Sequence, residues 1–135
     1  MINWLVAAIL ALCSFGMWGL FTKLSVIHID SKSALVFQTI GVLLVGIFTL
    51  SLLDYRPMTN IKGLSYGILT GVFYGIGCLF YFMAVDKGKM NTVVTLTALY
   101  PLITIFLSCV LLKESINFKQ SCGIGCALVA IFLLI

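Results

Sequence analysis

Charged side chains are scarce in this sequence of 135 residues: 9% are Asp, Glu, Lys or Arg, whereas 62% are hydrophobic. A soluble domain of this size needs far more charge to cover its surface. A disordered chain is excluded as well, because disorder requires low hydrophobicity. The net charge of +4 lies at the edges of hydrophobic runs, so it does not indicate nucleic-acid binding. The composition predicts that most of the protein's surface contacts a lipid bilayer.

Ionisable groups are missing from the hydrophobic runs. Five stretches contain no Asp, Glu, Lys, Arg or His, namely 1–22, 33–53, 63–85, 90–112 and 120–135. A buried carboxylate that binds cations and carries protons is therefore absent, which disfavours that mechanism. A cavity for phosphorylated anions would need Lys or Arg in its wall, and only Lys23 at a loop edge could reach inward. With no general base, nucleophile pair or metal cluster inside the runs, we expect no catalysis, metal or cofactor.

The runs themselves predict membrane-spanning helices, because about 20 apolar residues cross a hydrocarbon core of about 30 Å. Backbone groups in lipid must be bonded within their own segment, which selects helices. We predict an all-α membrane protein, a single five-helix transmembrane domain over 1–135, with spans at about 2–22, 33–53, 63–85, 92–112 and 117–135. The fifth run is the shortest, and it spans only if it begins near Asn117 and Lys119 snorkels. Gln120, three residues after Asn117, resembles the partner residue of a capping box.

The five cysteines lie inside these predicted spans, so they say little about the redox compartment: Cys13, Cys78, Cys109, Cys122 and Cys126. Cys122 and Cys126 share a helix face at a spacing of four residues, which is not the spacing of a CxxC redox pair. Packing of small residues is the interpretation we prefer for them.

The loops carry equal numbers of positive charges on the two sides of the membrane. Arg56, Lys62, Lys113 and Lys119 fall on one side, and Lys23, Lys32, Lys87 and Lys89 fall on the other. An excess of Lys and Arg on one side normally orients a membrane protein, and these loops provide none. Two interpretations stay open. Either a small protein has a weak bias by chance, or copies insert in both orientations and pair antiparallel.

Helices 3 to 5 resemble the EamA domain of the drug/metabolite transporter superfamily. The residues that carry the resemblance are Gly63-Leu-Ser-Tyr-Gly-Ile-Leu-Thr-Gly71, Leu79-Phe-Tyr-Phe-Met-Ala-Val85, Leu96-Thr-Ala-Leu-Tyr-Pro101-Leu, Leu111-Leu-Lys-Glu114 and Gln120-Ser-Cys-Gly-Ile-Gly125. Trp18-Gly19, followed by Lys23, is similar to the family near the N-terminus. The likeness covers nearly the whole chain as one five-helix unit. It departs from the family at Lys113, where the family usually has glycine.

Most members of that family carry two such units, inverted relative to each other. The resemblance therefore implies an antiparallel, dual-topology homodimer in a prokaryotic inner membrane. The substrate site would lie at the interface of the units near the bilayer midplane. Transport of small metabolites, neutral, zwitterionic or amphipathic and amino-acid-like, by alternating access is the implied function, and a facilitator is preferred over proton antiport. Two alternatives stay open: half of a heteromeric transporter, or a non-transporting scaffold or accessory subunit.

Helix 3 shows two ridges. The first consists of glycines four residues apart, Gly63, Gly67, Gly71 and Gly75, and predicts close helix packing. The second is polar and aromatic and consists of Tyr66, Thr70, Tyr74, Cys78 and Tyr81. We expect Thr70, Tyr74 and Cys78 to line a cavity. Tyr66 and Tyr81 are better explained as interfacial belt residues. Gly123 is a further predicted packing position in the last helix.

Helix 4 carries a second polar face, made by Thr97, Pro101, Thr104 and Ser108 at offsets 0, 4, 7 and 11. Pro101 removes a backbone hydrogen bond and frees a carbonyl near the middle of the membrane. That carbonyl could serve a ligand or a hinge, or the proline could mark only a packing kink. We count Thr97, Pro101 and Thr104 among the candidate substrate-binding residues.

Helices 1 and 2 contribute fewer candidates. Ser14 and Trp18 lie on one side of helix 1, and Trp18 is too deep to be an obvious belt residue, so both are candidate cavity residues, with packing as the alternative. Gln38 is the amide inside helix 2, where a helix–helix hydrogen bond is at least as plausible as a ligand contact. Glu114 precedes the last helix, whose positive N-terminal dipole favours a carboxylate, so we assign it a structural role.

Overall fold

The computed structural model describes residues 3–115 and 117–134, and their regular elements are all α-helices. The helices are α1 (Trp4–His28), α2 (Ser31–Leu52), α3 (Ile61–Lys87), α4 (Met90–Thr97), α5 (Tyr100–Leu111) and α6 (Phe118–Leu134). The predicted all-α class is confirmed. Each of the first three helices is longer than the uncharged run that predicted it, because polar residues at the loop edges continue the helix.

Four segments are long and apolar enough to cross a membrane: α1, α2, α3 and the combined stretch Met90–Leu111, with mean hydropathies between 2.0 and 2.2. The remaining helix, α6, has 17 residues and carries Lys119 and Gln120 in its first turn. Its length is about 25 Å, which is less than a hydrocarbon core of about 30 Å. The chain is therefore a multi-pass membrane protein with four candidate spans, and the fifth crossing stays a prediction.

Short polar residues begin four of the helices. Asn3, Asp30, Asn60 and Asn117 each accept a hydrogen bond from a backbone N–H of the first turn. Each cap satisfies a donor that the helix itself leaves without a partner. At Asn117 the predicted capping box is confirmed, because its own N–H donates to Oε1 of Gln120 at 2.8 Å. Hydrogen bonds from Ser33 hold the pKa of Asp30 below its ordinary value, so this cap is charged at neutral pH.

The fourth predicted span is interrupted. Helix α4 ends at Thr97 and α5 begins at Tyr100, with Pro101 in the first turn of α5. Around the break, Leu99 N–H donates to Leu96 O and Leu102 N–H donates to Leu99 O, which are three-residue rather than four-residue bonds. The kink expected at Pro101 is therefore present as a local break that precedes the proline by two to three residues, consistent with the clash between a proline ring and the preceding turn.

The chain forms two compact units, residues 1–87 and 88–135. In the first unit, α1, α2 and α3 pack against one another near the end of α1 and the end of α3. The buried residues form one face on each helix: Gly19, Thr22 and Val26 on α1, Ala34 on α2, and Cys78, Phe82 and Val85 on α3. Spacings of three and four residues place each set on a single stripe.

The other half of this unit is open. Residues 4–17 of α1, 39–49 of α2 and 61–74 of α3 are all exposed. Their side chains are mostly large and apolar, such as Phe48 and Phe73. Apolar side chains of this kind suit contact with lipid tails, so their exposure agrees with a membrane location.

In the second unit, α4 packs against α6. Helix α5 ends at Leu111, and Lys113 then adopts a left-handed backbone conformation with φ of 55°. Glu114 N–H donates back to the carbonyl of Ser108 at 3.4 Å across this turn. Left-handed conformations favour glycine because its lack of a Cβ removes a steric clash. A glycine would fit this position without strain, and Lys113 occupies it with strain.

The substitution Lys113→Gly should stabilise the protein by about 0.5–1 kcal/mol, because it removes the Cβ clash at a positive φ. The measurement is a higher unfolding midpoint in detergent micelles. Lys119→Gly is the matched control, since Lys119 is inside α6 and glycine weakens a helix by a similar amount. A lower midpoint for Lys113→Gly would contradict the strain assignment.

Candidate functional site

A hydrogen-bonded chain of three neutral side chains joins α1, α2 and α3. Trp18 Nε1 donates to Gln38 Oε1 at 2.8 Å, and Gln38 Nε2 donates to the hydroxyl of Tyr74 at a longer 3.4 Å. We call these three residues the indole–amide–phenol chain. Each residue comes from a different helix, so the chain exists only when the three helices pack together.

The indole end of this chain is held in place by α3 and by its own helix. The Trp18 ring stacks on Tyr81, with centroids 4.8 Å apart and an interplanar angle of 28°. Offset stacking of this kind is a favourable arrangement of two aromatic rings. Thr22 is buried, and its hydroxyl donates to the backbone carbonyl of Trp18 at 2.8 Å. The stack on Tyr81 restricts the indole ring, and the bond to Gln38 sets the direction of its N–H.

The chain lies well inside the membrane-spanning helices. Measured from the helix ends that share one side of the bilayer, Trp18, Gln38 and Tyr74 lie about 15, 10 and 20 Å inward at 1.5 Å per residue. Because α1 and α3 are longer than a hydrocarbon core of about 30 Å, their ends extend beyond it, so Gln38 lies nearest the membrane edge and Tyr74 farthest inside. Neutral polar groups at such depth are satisfied by one another rather than by loop water. Tyr74 is 44% exposed and lies at the edge of the open half of the unit.

Lys23 closes the packed end of the same unit. Its ammonium Nζ donates to the backbone carbonyl of Val85 at 2.7 Å, in the last turn of α3. The last carbonyls of a helix have no partner within it, and the negative end of the helix dipole favours a cation there. Val85 is completely buried, so water does not replace this bond easily. Lys23 thereby ties α1 to the end of α3.

Most of the other predicted binding residues bond only to their own helix. The hydroxyls of Ser14, Thr70, Thr97 and Thr104 donate to the backbone carbonyls of Leu10, Tyr66, Val93 and Tyr100 respectively. All four residues are exposed. Such back-bonding satisfies a hydroxyl in lipid without a second helix. Their predicted contact with substrate stays a prediction.

Three further candidates have different surroundings. Cys78 is buried among the packed helices, with 3% exposure, so it lies in the core of the first unit. Pro101 is in the first turn of α5, in the second unit. Glu114 is exposed beside the strained turn after α5. Its structural assignment stays a prediction.

The glycine ridge of α3 faces open space within the described chain. A Cβ added at Gly67, Gly71 or Gly75 would meet no other heavy atom within 4 Å, and at Gly63 it would meet only the capping Asn60 at 4.0 Å. Gly123 in α6 is equally open. The helix packing predicted for these glycines does not occur inside either unit, and it stays a prediction for contacts with another chain.

Gln38 and Tyr81 belong to this site, although the sequence did not place them among the candidate binding residues. Gln38 carried a visible signal, since an amide inside an apolar run needs a polar partner. Its expected helix–helix hydrogen bond is present. The interfacial position predicted for Tyr81 stays a prediction, and its ring in addition stacks on Trp18. Helix periodicity gives the face of a residue and does not reveal which side chain of another helix meets it.

Comparison with known proteins gives a family assignment. A family model described as the EamA-like transporter family matches residues 2–135. An uncharacterized protein of Methanocaldococcus jannaschii is 34% identical over 134 residues, which cover 96% of this chain and 94% of that protein. No solved structure matches the chain significantly.

Two staphylococcal proteins are more distant relatives. A probable glucose uptake protein of Staphylococcus epidermidis is 27% identical over 93% of this chain and 42% of its own length. A glucose uptake protein of Staphylococcus xylosus is 28% identical over 78% of this chain and 35% of its own length. The chain thus spans less than half the length of these relatives.

The bond between Lys23 and Val85 should contribute measurably to stability. Lys23→Met keeps most of the aliphatic stem and leaves a buried carbonyl without its partner, so we expect a loss of about 1–3 kcal/mol in the free energy of unfolding. Thermal unfolding in detergent measures it. Lys32→Met is the matched control, because Lys32 is exposed in the first turn of α2 at the same end of the unit. Equal effects of both substitutions would show that the contact adds nothing.

Proposed function

The chain belongs to the EamA-like transporter family, and on that premise we propose that it carries small uncharged or zwitterionic metabolites across a prokaryotic cell membrane by alternating access. The substrates of this proposal are neutral, zwitterionic or amphipathic and amino-acid-like. The observation that carries the proposal is the indole–amide–phenol chain of Trp18, Gln38 and Tyr74, a set of neutral hydrogen-bonding groups held within apolar helices.

The chemistry of this chain favours ligands without net charge. Transfer of an isolated ion into hydrocarbon costs far more than transfer of a neutral polar group. A charged ligand would need a counter-ion in the site, and Lys23, the lysine of α1, is already bonded to the carbonyl of Val85. Without a titratable carboxylate in the uncharged runs, a facilitator driven by the substrate gradient is preferred over a proton antiporter.

Sugars are a second substrate class, favoured by the relatives. The two staphylococcal proteins are named for glucose uptake, and a hexose is a neutral ligand rich in hydroxyl groups. Aromatic rings and hydrogen-bonding side chains, both present at Trp18, Tyr81 and Tyr74, suit the apolar and polar faces of such a ring.

We propose further that the functional form is an antiparallel, dual-topology homodimer. The support is the distribution of loop charges, four Lys or Arg residues on each side of the membrane. This count does not depend on whether α6 crosses the bilayer, because Lys113 and Lys119 both precede its apolar part. The exposed glycine ridge of α3 and the exposed half of the first unit offer surface for a second copy.

Two other readings are distinguished by simple observations. A heteromeric transporter would require a second, similar protein with the opposite charge bias, and the purified chain alone would not transport. A scaffold or accessory subunit would fail to transport in any combination. Uptake by the purified protein in liposomes therefore separates all three.

Reporters of opposite compartment specificity, fused to the C-terminus, should both be active in the wild type. Lys87→Gln with Lys89→Gln leaves four positive charges against two, and Arg56→Gln with Lys62→Gln creates the opposite bias, so each pair should fix one orientation. Each fixed form alone should lose transport, and coexpression of the two should restore it. A wild type active on one side only, or a fixed form that transports alone, would rule out the antiparallel dimer.

Trp18→Ala and Tyr74→Ala should each lower uptake into liposomes by about tenfold, because each removes a hydrogen-bonding end of the proposed site. The measurement is uptake of radiolabelled D-glucose and of a panel of neutral amino acids. Tyr66→Ala is the control, since Tyr66 is an exposed tyrosine two turns away on the same helix. Normal uptake by both Trp18→Ala and Tyr74→Ala would disprove the site.

A further inference from the structure

We propose that Gln38 sets the direction of the hydrogen bonds in the site, so that Tyr74 presents its hydroxyl proton to the ligand. The ligand then carries an uncharged acceptor oxygen at that point, such as a sugar hydroxyl. Gln38 is a positioning residue in this scheme, and Tyr74 is the residue that donates a hydrogen bond to the ligand. This inference rests on the proposed function, because it names the chemistry that the same site selects.

The direction of the chain begins at Trp18. An indole N–H can only donate a hydrogen bond. The atom of Gln38 that faces it at 2.8 Å must therefore be the carbonyl oxygen Oε1. A reversed amide would place two donors against each other and leave the indole N–H without a partner in a lipid-facing unit. The orientation of the amide follows from chemistry and not only from its assignment in the structure.

The direction continues from Gln38 to Tyr74. Because Oε1 accepts the hydrogen bond from the indole, the other polar atom of the amide is Nε2, which can only donate hydrogen bonds. It donates to the phenolic oxygen of Tyr74 at 3.4 Å. The phenolic oxygen is thus an acceptor in the chain, and its own proton points elsewhere. Within the unit, the thiol of Cys78, one turn along α3, lies within reach of this proton, and a thiol is a weak acceptor that a ligand oxygen can displace.

A ligand oxygen that displaces the weak thiol acceptor can take this proton. Tyr74 is 44% exposed, whereas Trp18 at the other end is partly buried and stacks on Tyr81. The fixed end thus lies against protein, and the open end faces accessible space. An oxygen that accepts from Tyr74 would also strengthen the long bond from Gln38, since hydrogen bonds in series polarise one another.

The accepted group is an uncharged oxygen rather than a carboxylate. A carboxylate in an apolar setting needs a cation beside it. Lys23, one helical turn and a half from Trp18 along α1, is bonded to the carbonyl of Val85. A hydroxyl, ether or carbonyl oxygen needs only the single donor that Tyr74 provides.

Deoxy and deoxyfluoro analogues of D-glucose test this polarity. Replacing a hydroxyl by fluorine keeps an acceptor and removes the donor, whereas replacing it by hydrogen removes both. We expect one ring position at which the fluoro analogue competes nearly as well as glucose and the deoxy analogue is about fivefold to tenfold weaker. The readout is Trp18 fluorescence of the purified protein in a Trp4→Phe background, since the sequence contains two tryptophans.

Matched variants assign the effect to the chain. Tyr74→Phe should abolish the difference between the fluoro and deoxy analogues at that position, because the donor is gone. Gln38→Leu should reduce it, because the hydroxyl of Tyr74 then turns freely and can accept as well as donate. Tyr66→Phe should leave it unchanged. Size-exclusion profiles and melting temperatures equal to the parent protein exclude misfolding as the cause.

Several outcomes would overturn the inference. Fluoro analogues as weak as deoxy analogues at every position would mean that the site accepts from the ligand. An unchanged difference between the fluoro and deoxy analogues in Tyr74→Phe would mean that another group donates the hydrogen bond to the ligand. Uptake of a neutral amino acid without any binding of glucose would refute the sugar-like ligand and leave the proposed transport intact. Glucose binding with the expected pattern, but no uptake of any metabolite, would contradict the transport and not the inference.

Discussion

Lipid offers a polar group no alternative partner, and this constraint organises the whole chain. Backbone groups are satisfied by helices, helix starts by Asn and Asp side chains, and isolated hydroxyls by the preceding turn of their own helix. An amide such as Gln38 has too many donors and acceptors for its own helix to satisfy. It is satisfied by Trp18 and Tyr74, and the requirement of one side chain thereby determines how three helices meet.

Much of the fold could be predicted from sequence because charge marks the ends of the helices. The class, the helix order and the capping box at Asn117 followed from the spacing of charged and capping residues. The depth of the last helix did not follow, because a run of borderline length carries Lys119 and Gln120 in its first turn. The break at Ala98 and Leu99 was anticipated only as a kink, since Pro101 reveals a missing bond and not where the helix yields.

The candidate site was predictable in part. Depth and amphipathic chemistry selected Trp18 and Tyr74, and the structure connects them through Gln38. The threonines of α4 and α5 met the same periodicity criteria, but their hydroxyls bond within their own helices. One-dimensional spacing places residues on a face. It contains no information about the rotation of a neighbouring helix, which decides whether two polar groups meet. Lys113 shows the converse, since its departure from the family coincides with a strained backbone that a glycine would fit.

The one-sided packing of α1, α2 and α3 has a mechanical consequence. The buried side chains of Thr22, Phe82 and Val85 make one end of the three-helix unit stiff, because moving closely packed side chains would open voids. At the opposite end, residues 4–17, 39–49 and 61–74 are exposed, so a shift of these segments disrupts little packing inside the unit. We therefore expect helix bending to occur mainly at the exposed end of the unit, while the packed end keeps its geometry.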